Sequence, residues 1–164
     1  MSSDQVKEQA EHAWHLLKLI DQVPGQTSSS EIDFVQLRDW VLHARQGFEQ
    51  KNRKKIGDEE IGEILSHAPI GKDNIWPHEA VRDIIERCES LDIEKGIEIG
   101  KFNQRGVTTR TLSEGGEQER KIAEEYERQA EKIKFEFPRT AGMLLRLAES
   151  YKRQATFEDR DTLV

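Results

Sequence analysis

Apolar residues recur three or four positions apart along most of this chain, which is the spacing of amphipathic α-helices. Stripes of this kind lie at 6–20, 34–48, 61–65, 80–88, 93–100, 122–137 and 141–155. Alternation with period two, typical of a half-buried strand, is weak: the nearest segment is 96–102, whose glycines argue against a strand. We therefore predict an all-α fold, an irregular bundle of about six to seven amphipathic helices.

Three interruptions of this pattern predict loops, because Pro, Gly and Ser break helices. These loops lie at 22–29, 69–76 and 103–115. Ser28, three residues before Glu31, resembles a capping box that opens the second helix. Pro77 suits the first turn of a helix, where its missing N–H would be unpaired in any case.

A chain of 164 residues is most naturally one domain, which we place at 1–164. It would consist of an N-terminal helix pair at 2–55, middle helices at 58–103 and a C-terminal hairpin at 115–158. The hairpin is predicted because only a short segment around Pro138 separates the last two stripes. Such a short connection favours two antiparallel neighbouring helices.

Charge and composition bear on the partners more than on the fold. The chain has a net charge of −7, and charged residues make up 35% of it. An acidic chain is repelled by phosphate backbones, so nucleic acid is a disfavoured partner. No stretch approaches the roughly 18–20 apolar residues that span a bilayer, and the N-terminus is polar. We therefore expect a cytoplasmic protein with no membrane partner.

The residue types that carry catalysis form no recognisable pattern. The sequence lacks the G-x-S-x-G, H-E-x-x-H and Walker motifs. His12 and His15 fall on the polar side of the first predicted helix, which indicates a solvated face rather than a metal site. Cys88, the single cysteine, lies on an apolar stripe and is predicted to be a small buried hydrophobe. We therefore predict a non-enzymatic protein with no metal and no cofactor.

A basic patch follows the second predicted helix and has two interpretations. It comprises Lys51, Arg53, Lys54 and Lys55. These side chains could bind phosphate, or they could complement the negative end of the helix dipole at a helix C-terminus. No aromatic residue lies among them and the chain is acidic, so the structural interpretation is favoured.

A second positive cluster precedes the C-terminal hairpin. Its candidate residues for binding an anion or a partner are Asn103, Arg105 and Arg110, with Lys101 beside them. Two glycines, Gly115 and Gly116, come just before a helix whose first amides are free donors. Such a helix start can bind anions.

Glutamates at the same helix start argue against a phosphate site. Glu114, Glu117 and Glu119 already complement the helix dipole there and would repel phosphate. We therefore predict an ordered loop at 103–115, in which Arg105 or Arg110 pairs with a carboxylate. Gly106 is expected to end the preceding helix as its C-terminal cap.

Trp76 directly precedes Pro77 in a predicted loop. A tryptophan at such a place either fills the core or anchors a partner protein. The core interpretation is favoured, because apolar loop residues that precede a helix often pack back as staples.

Three runs carry a resemblance to a known group of proteins: WPHEAVRDIIE, GKFNQRGVTTR and EGGEQERKIAEEYERQA. Across residues 56–157 the chain resembles the C-terminal portion of very large, uncharacterised bacterial proteins. The resemblance implies a bacterial helical module, either part of a long protein or a separate subunit. It implies no activity, cofactor or catalytic residue.

These features favour a non-enzymatic helical module that binds another protein or another domain of its own assembly. One alternative is a nucleic-acid-associated subunit that uses basic patches at 51–55 and 101–110. A second alternative is a site for a small anion or ligand at the 103–116 loop.

Overall fold

The computed structural model describes residues 21–106 and 116–162, so the first predicted helix and Arg110 lie outside the described residues. Within these ranges the chain is mostly helical, which confirms the predicted fold class at that level. The elements are β1 (Gln26–Ser28), β2 (Glu31–Ile32), α1 (Phe34–Gln50), α2 (Lys54–Leu65), α3 (Glu79–Cys88), α4 (Leu91–Gln104), α5 (Glu117–Ile133) and α6 (Pro138–Thr162). None of the described helices is both long and apolar enough to cross a membrane.

A short β-hairpin takes the place of the predicted loop and capping box before α1. β1 pairs antiparallel with β2, with Gln26 opposite Ile32. Asp33, and not Ser28, caps α1: its carboxylate accepts a hydrogen bond from the Gln36 amide at 3.0 Å. The capping prediction was therefore wrong. Strands of two and three residues are too short to leave a period-two pattern in a sequence.

Two further predictions about helix ends were wrong. The basic patch is not one helix C-terminus: α1 ends at Gln50, and Lys54 and Lys55 begin α2. At the start of a helix, lysines face the positive end of the dipole, so they do not complement it. Pro77 does not open α3 either. It follows a cis peptide bond and precedes His78, whose Nδ1 caps α3 by accepting from the Ala80 amide.

Helices α2 and α4 pack unusually closely, through glycines. A Cβ on Gly62 of α2 would lie 2.8 Å from the Gly96 Cα of α4, and Ser66 lies beside Gly100 one turn further on. The two helices therefore run in the same direction. Their apolar faces, which include fully buried Ile93 and Ile97, form part of a single core.

Helices α5 and α6 contact each other along their length. Gly116 and Arg120 near the start of α5 bind Asp159 near the end of α6, so the two helices run in opposite directions. Glu94 of α4, only 2% exposed, binds Arg139 and Arg146 of α6. These ion pairs attach the α5–α6 pair to the rest of the core.

Candidate functional site

Arg105, one of the predicted binding residues, is held inside the protein. Its Nη1 donates to Glu119 Oε1 at 2.5 Å, and its Nη2 donates to Gln118 Oε1 at 3.2 Å. The guanidinium also lies 5.7 Å from the centre of the Tyr151 ring. The Glu119 side chain is completely buried. The predicted pairing of Arg105 with a carboxylate is thus present, and Arg105 joins α4, α5 and α6.

Two of the groups that an anion would use at the start of α5 are already occupied. The Gly116 amide donates to Asp159 Oδ1 at 2.8 Å, and Arg120 binds the other oxygen of the same carboxylate at 2.7 Å. Gly106 has a φ of +63° and donates to the Asn103 carbonyl, so it ends α4 as predicted. Asn103 itself is exposed. The geometry therefore gives no support to an anion site at the described part of this loop.

The two basic patches of the nucleic-acid alternative lie at opposite ends of α4. Lys54 and Lys55 line a cavity together with Leu91, the first residue of α4. Lys101 and Arg105 lie at the other end of this 14-residue helix, roughly 20 Å away at 1.5 Å per residue. The described parts of the two patches are therefore separated by most of the length of α4.

A cavity of about 480 Å³ lies where α2 and α4 begin, and three of its lining side chains bind one another. Arg45 binds both oxygens of Asp58, each at 2.9 Å, and Ser90 Oγ donates to Asp58 Oδ2 at 2.6 Å. Burial raises the pKa of the neighbouring Cys88 thiol, which keeps it protonated and weakly nucleophilic. These contacts favour a structural connection between helices over a reactive site.

Trp76 is 3% exposed and belongs to the core. Its indole N–H donates to the Ala68 carbonyl at 2.9 Å, and its backbone N–H donates to Gln129 Oε1 at 3.0 Å. Its ring meets Tyr126 edge-on, with the ring centres 6.2 Å apart. This burial favours the core interpretation over an exposed anchor for a partner.

A second cavity, of about 330 Å³, opens above the Trp76 ring between α4, α5 and the loop before α3. Its lining residues are Ile70, Trp76, Lys101, Lys121, Ile122, Glu125, Tyr126 and Gln129. The Lys101 ammonium lies 4.6 Å from the centre of the Trp76 ring, and burial lowers the pKa of this amine. Sequence analysis placed Lys101 in a basic patch and missed this cavity, because its wall comes from α5.

The turn between α5 and α6 presents an aromatic side chain that sequence analysis also missed. Phe135 is 91% exposed, whereas Phe137, two residues later, is 8% exposed. The Phe137 amide donates to the Ile133 carbonyl at 2.7 Å, which closes the turn. The sequence Phe-Glu-Phe at the end of a helical stripe was the available signal, since two residues two apart cannot both face one core.

Among residues 21–106 and 116–162, no three His, Cys, Asp or Glu side chains come together as a group that could hold a metal ion. Comparison of the chain with protein-family models, with curated proteins and with solved structures found no match. The resemblance to the C-terminal portion of very large bacterial proteins stays a prediction.

Proposed function

We propose that this chain is a non-enzymatic helical module that binds another protein, and that Phe135 is its anchor residue. The observation that carries the proposal is the 91% exposure of this ring on a closed turn between two long helices. Aromatic side chains that insert into a partner's pocket dominate the energy of many protein interfaces.

Physical arguments support this role for Phe135. Leaving a phenylalanine side chain in water forgoes about 1.5–3 kcal/mol of hydrophobic stabilisation, which a partner's apolar pocket can supply. The turn that carries the ring is held by backbone hydrogen bonds from Glu136 and Phe137 to the Ile133 carbonyl. A partner would therefore meet a side chain on an ordered backbone, which reduces the entropy lost on binding.

Further apolar surface lies around the last turn of helix α3, which binds the start of α6. Glu86 of α3 accepts hydrogen bonds from the Arg139 and Thr140 amides at the start of α6. The next residue, Arg87, lies 5.4 Å from the centre of the Phe34 ring at the start of α1. Val35, beside Phe34, is 53% exposed. The last turn of α3 thus contacts both the start of α6, which follows the Phe135 turn, and the start of α1, which carries Val35.

Phe157 provides a matched control for the experiment. It is an aromatic residue on α6 that is 63% exposed, and it lies two residues before Asp159, at the other end of the helix pair. A photo-crosslinking phenylalanine analogue is introduced at position 135 or at position 157, and native extract is irradiated. The protein that crosslinks at position 135 is then purified for titration.

We expect one stoichiometric partner to crosslink at position 135 and not at position 157. Phe135→Ser should weaken its binding by about 10- to 30-fold, as expected for an interface hot spot. Phe157→Ser should change it less than about threefold, and both variants should melt like the wild type. Equal crosslinking at the two positions, or full affinity of Phe135→Ser, would contradict the proposal. A monodisperse monomer that recovers no partner would do the same.

A further inference from the structure

The cavity above Trp76 contains a cation whose charge no described carboxylate balances. The Lys101 ammonium has one described contact, with the face of the Trp76 ring at 4.6 Å. The surrounding side chains remove enough water to lower the pKa of this amine. A buried ammonium without a counter-ion is unfavourable, since the low-dielectric surroundings disfavour the charged form.

Glu125, the single carboxylate that lines the cavity, is occupied elsewhere. It forms an ion pair with Arg128 on the next turn of α5, and Gln129 Nε2 donates to it at 2.8 Å. Lys121 at the rim pairs with Glu117 at 2.8 Å. The lining therefore carries two ammonium groups against one carboxylate, and that carboxylate already has two donors.

The remaining walls are apolar and aromatic. Trp76 and Tyr126 meet edge-on at 6.2 Å, and Ile122 and the half-exposed Ile70 line the sides. A volume of about 330 Å³ is within the range of small-molecule sites. Walls of this kind suit a flat apolar molecule. An ammonium group at one side of the cavity favours a molecule that carries a negative charge.

We infer that this cavity binds small molecules with a flat apolar body and one carboxylate or sulfonate group. The apolar body packs against Ile70 and Ile122 and against the small exposed parts of Trp76 and Tyr126. The anionic group binds the Lys101 ammonium and supplies a counter-ion that none of the described carboxylates provides. This site is separate from the Phe135 turn, so the inference is independent of the proposed protein partner.

The experiment compares 2-naphthoate and benzoate with their neutral amides, 2-naphthamide and benzamide. The indole N–H signal of Trp76, identified with a Trp76→Phe variant, reports binding by NMR. Lys101→Met removes the ammonium of the cavity. Lys95→Met is the matched control: Lys95 lies on the same helix, its side chain is 57% exposed, and its loss changes the net charge equally.

We expect 2-naphthoate to shift the Trp76 signal in the high-micromolar to millimolar range, and its amide to bind about tenfold more weakly. Lys101→Met should reduce the affinity for naphthoate by about tenfold and leave that for the amide unchanged, whereas Lys95→Met should change neither. The inference is wrong if acid and amide bind equally well, or if Lys101→Met keeps the affinity for naphthoate. It is also wrong if Lys95→Met loses as much, or if neither acid shifts the signal at millimolar concentration.

Discussion

Arg105 at the end of α4 and Glu119 in the first turn of α5 are joined by a hydrogen-bonded ion pair of 2.5 Å. The Glu119 side chain is fully buried, and the Arg105 side chain is 17% exposed. The covalent connection between the two helices runs through residues 107–115. The ion pair therefore fixes the two ends of this connection to each other, and the arginine that could have served an external anion serves the fold.

Arg105→Ala should lower the free energy of unfolding by about 1–3 kcal/mol, because a buried carboxylate loses a charged hydrogen-bond donor. Urea denaturation measures the change. Asn103→Ala, at an exposed position two residues earlier, is the control and should stay within about 0.5 kcal/mol of the wild type. Unchanged unfolding of Arg105→Ala together with lost phosphate binding would instead identify the loop as an anion site.

Gly96→Ala should destabilise the protein by roughly 2–3 kcal/mol or more. A Cβ on Gly96 would lie 2.9 Å from the Gly62 Cα and 3.0 Å from the Glu59 carbonyl carbon, so two helix backbones would have to separate. Thermal melts of the purified variant test this.

Gly47→Ala is the control for that substitution. Gly47 lies inside α1, and apart from its chain neighbours and the backbone of its own helix no atom lies within 4 Å of its would-be Cβ, so alanine gains helix propensity of about 0.5–1 kcal/mol. The two Gly→Ala changes should thus shift the melting temperature in opposite directions. A melting temperature that stays the same or rises in Gly96→Ala would show that the α2–α4 contact has room for a methyl group.

Some local signals were interpreted correctly, whereas others, such as the capping box at Ser28 and the helix start at Pro77, were not. Gly106 ends α4, and Arg105 finds a carboxylate, because both outcomes depend on residues near in sequence and on simple charge attraction. The apolar stripes between residues 34 and 155 that the structure describes correspond to helices, because helical periodicity is a property of the segment itself.

Contacts between distant segments were beyond prediction from one sequence. Trp76 could be core or anchor, and its burial depends partly on Gln129, which lies 53 residues away in the chain. Lys101 was grouped with nearby arginines, but its surroundings come from α5 and from the loop that carries Trp76. The exposure of Phe135 likewise depends on where the turn between α5 and α6 falls, and helix ends are the least certain part of a pattern.

Asp73→Asn should lower the free energy of unfolding by about 1–3 kcal/mol at neutral pH. Asp73 binds Arg82 through two hydrogen bonds of 2.6 and 2.8 Å, and the Arg82 side chain is 1% exposed. Asparagine keeps the shape but removes the charge opposite a buried guanidinium. Asp83→Asn, beside Arg82 on α3, is the control, since no described ion pair involves Asp83.

The same pair should make stability depend on acid pH. The hydrogen bonds from Arg82 hold the pKa of Asp73 below its ordinary value of 3.8. Its contribution is therefore complete above that value and is lost as the pH falls through the lowered pKa. The stability difference between wild type and Asp73→Asn should shrink in that acid range. A difference that stays constant there would show that the Asp73 charge is not the cause.

Lys101→Met should raise the melting temperature at neutral pH, because a half-buried ammonium is replaced by an apolar side chain that packs well on an aromatic ring. Burial lowers the pKa of Lys101 from its ordinary value of 10.5, so the folded protein binds its proton more weakly than the unfolded chain does. The penalty is complete below the lowered pKa and fades as the pH rises from that pKa towards 10.5. The gain from Lys101→Met should therefore be largest near neutral pH and smaller at alkaline pH.

Burial raises the pKa of the neighbouring Tyr126, which keeps that residue protonated in this range. Thermal melts of Lys101→Met, and of the control Lys95→Met at an exposed position, measured between neutral and alkaline pH, test the prediction. A lower melting temperature for Lys101→Met than for the wild type would show that the ammonium stabilises the fold.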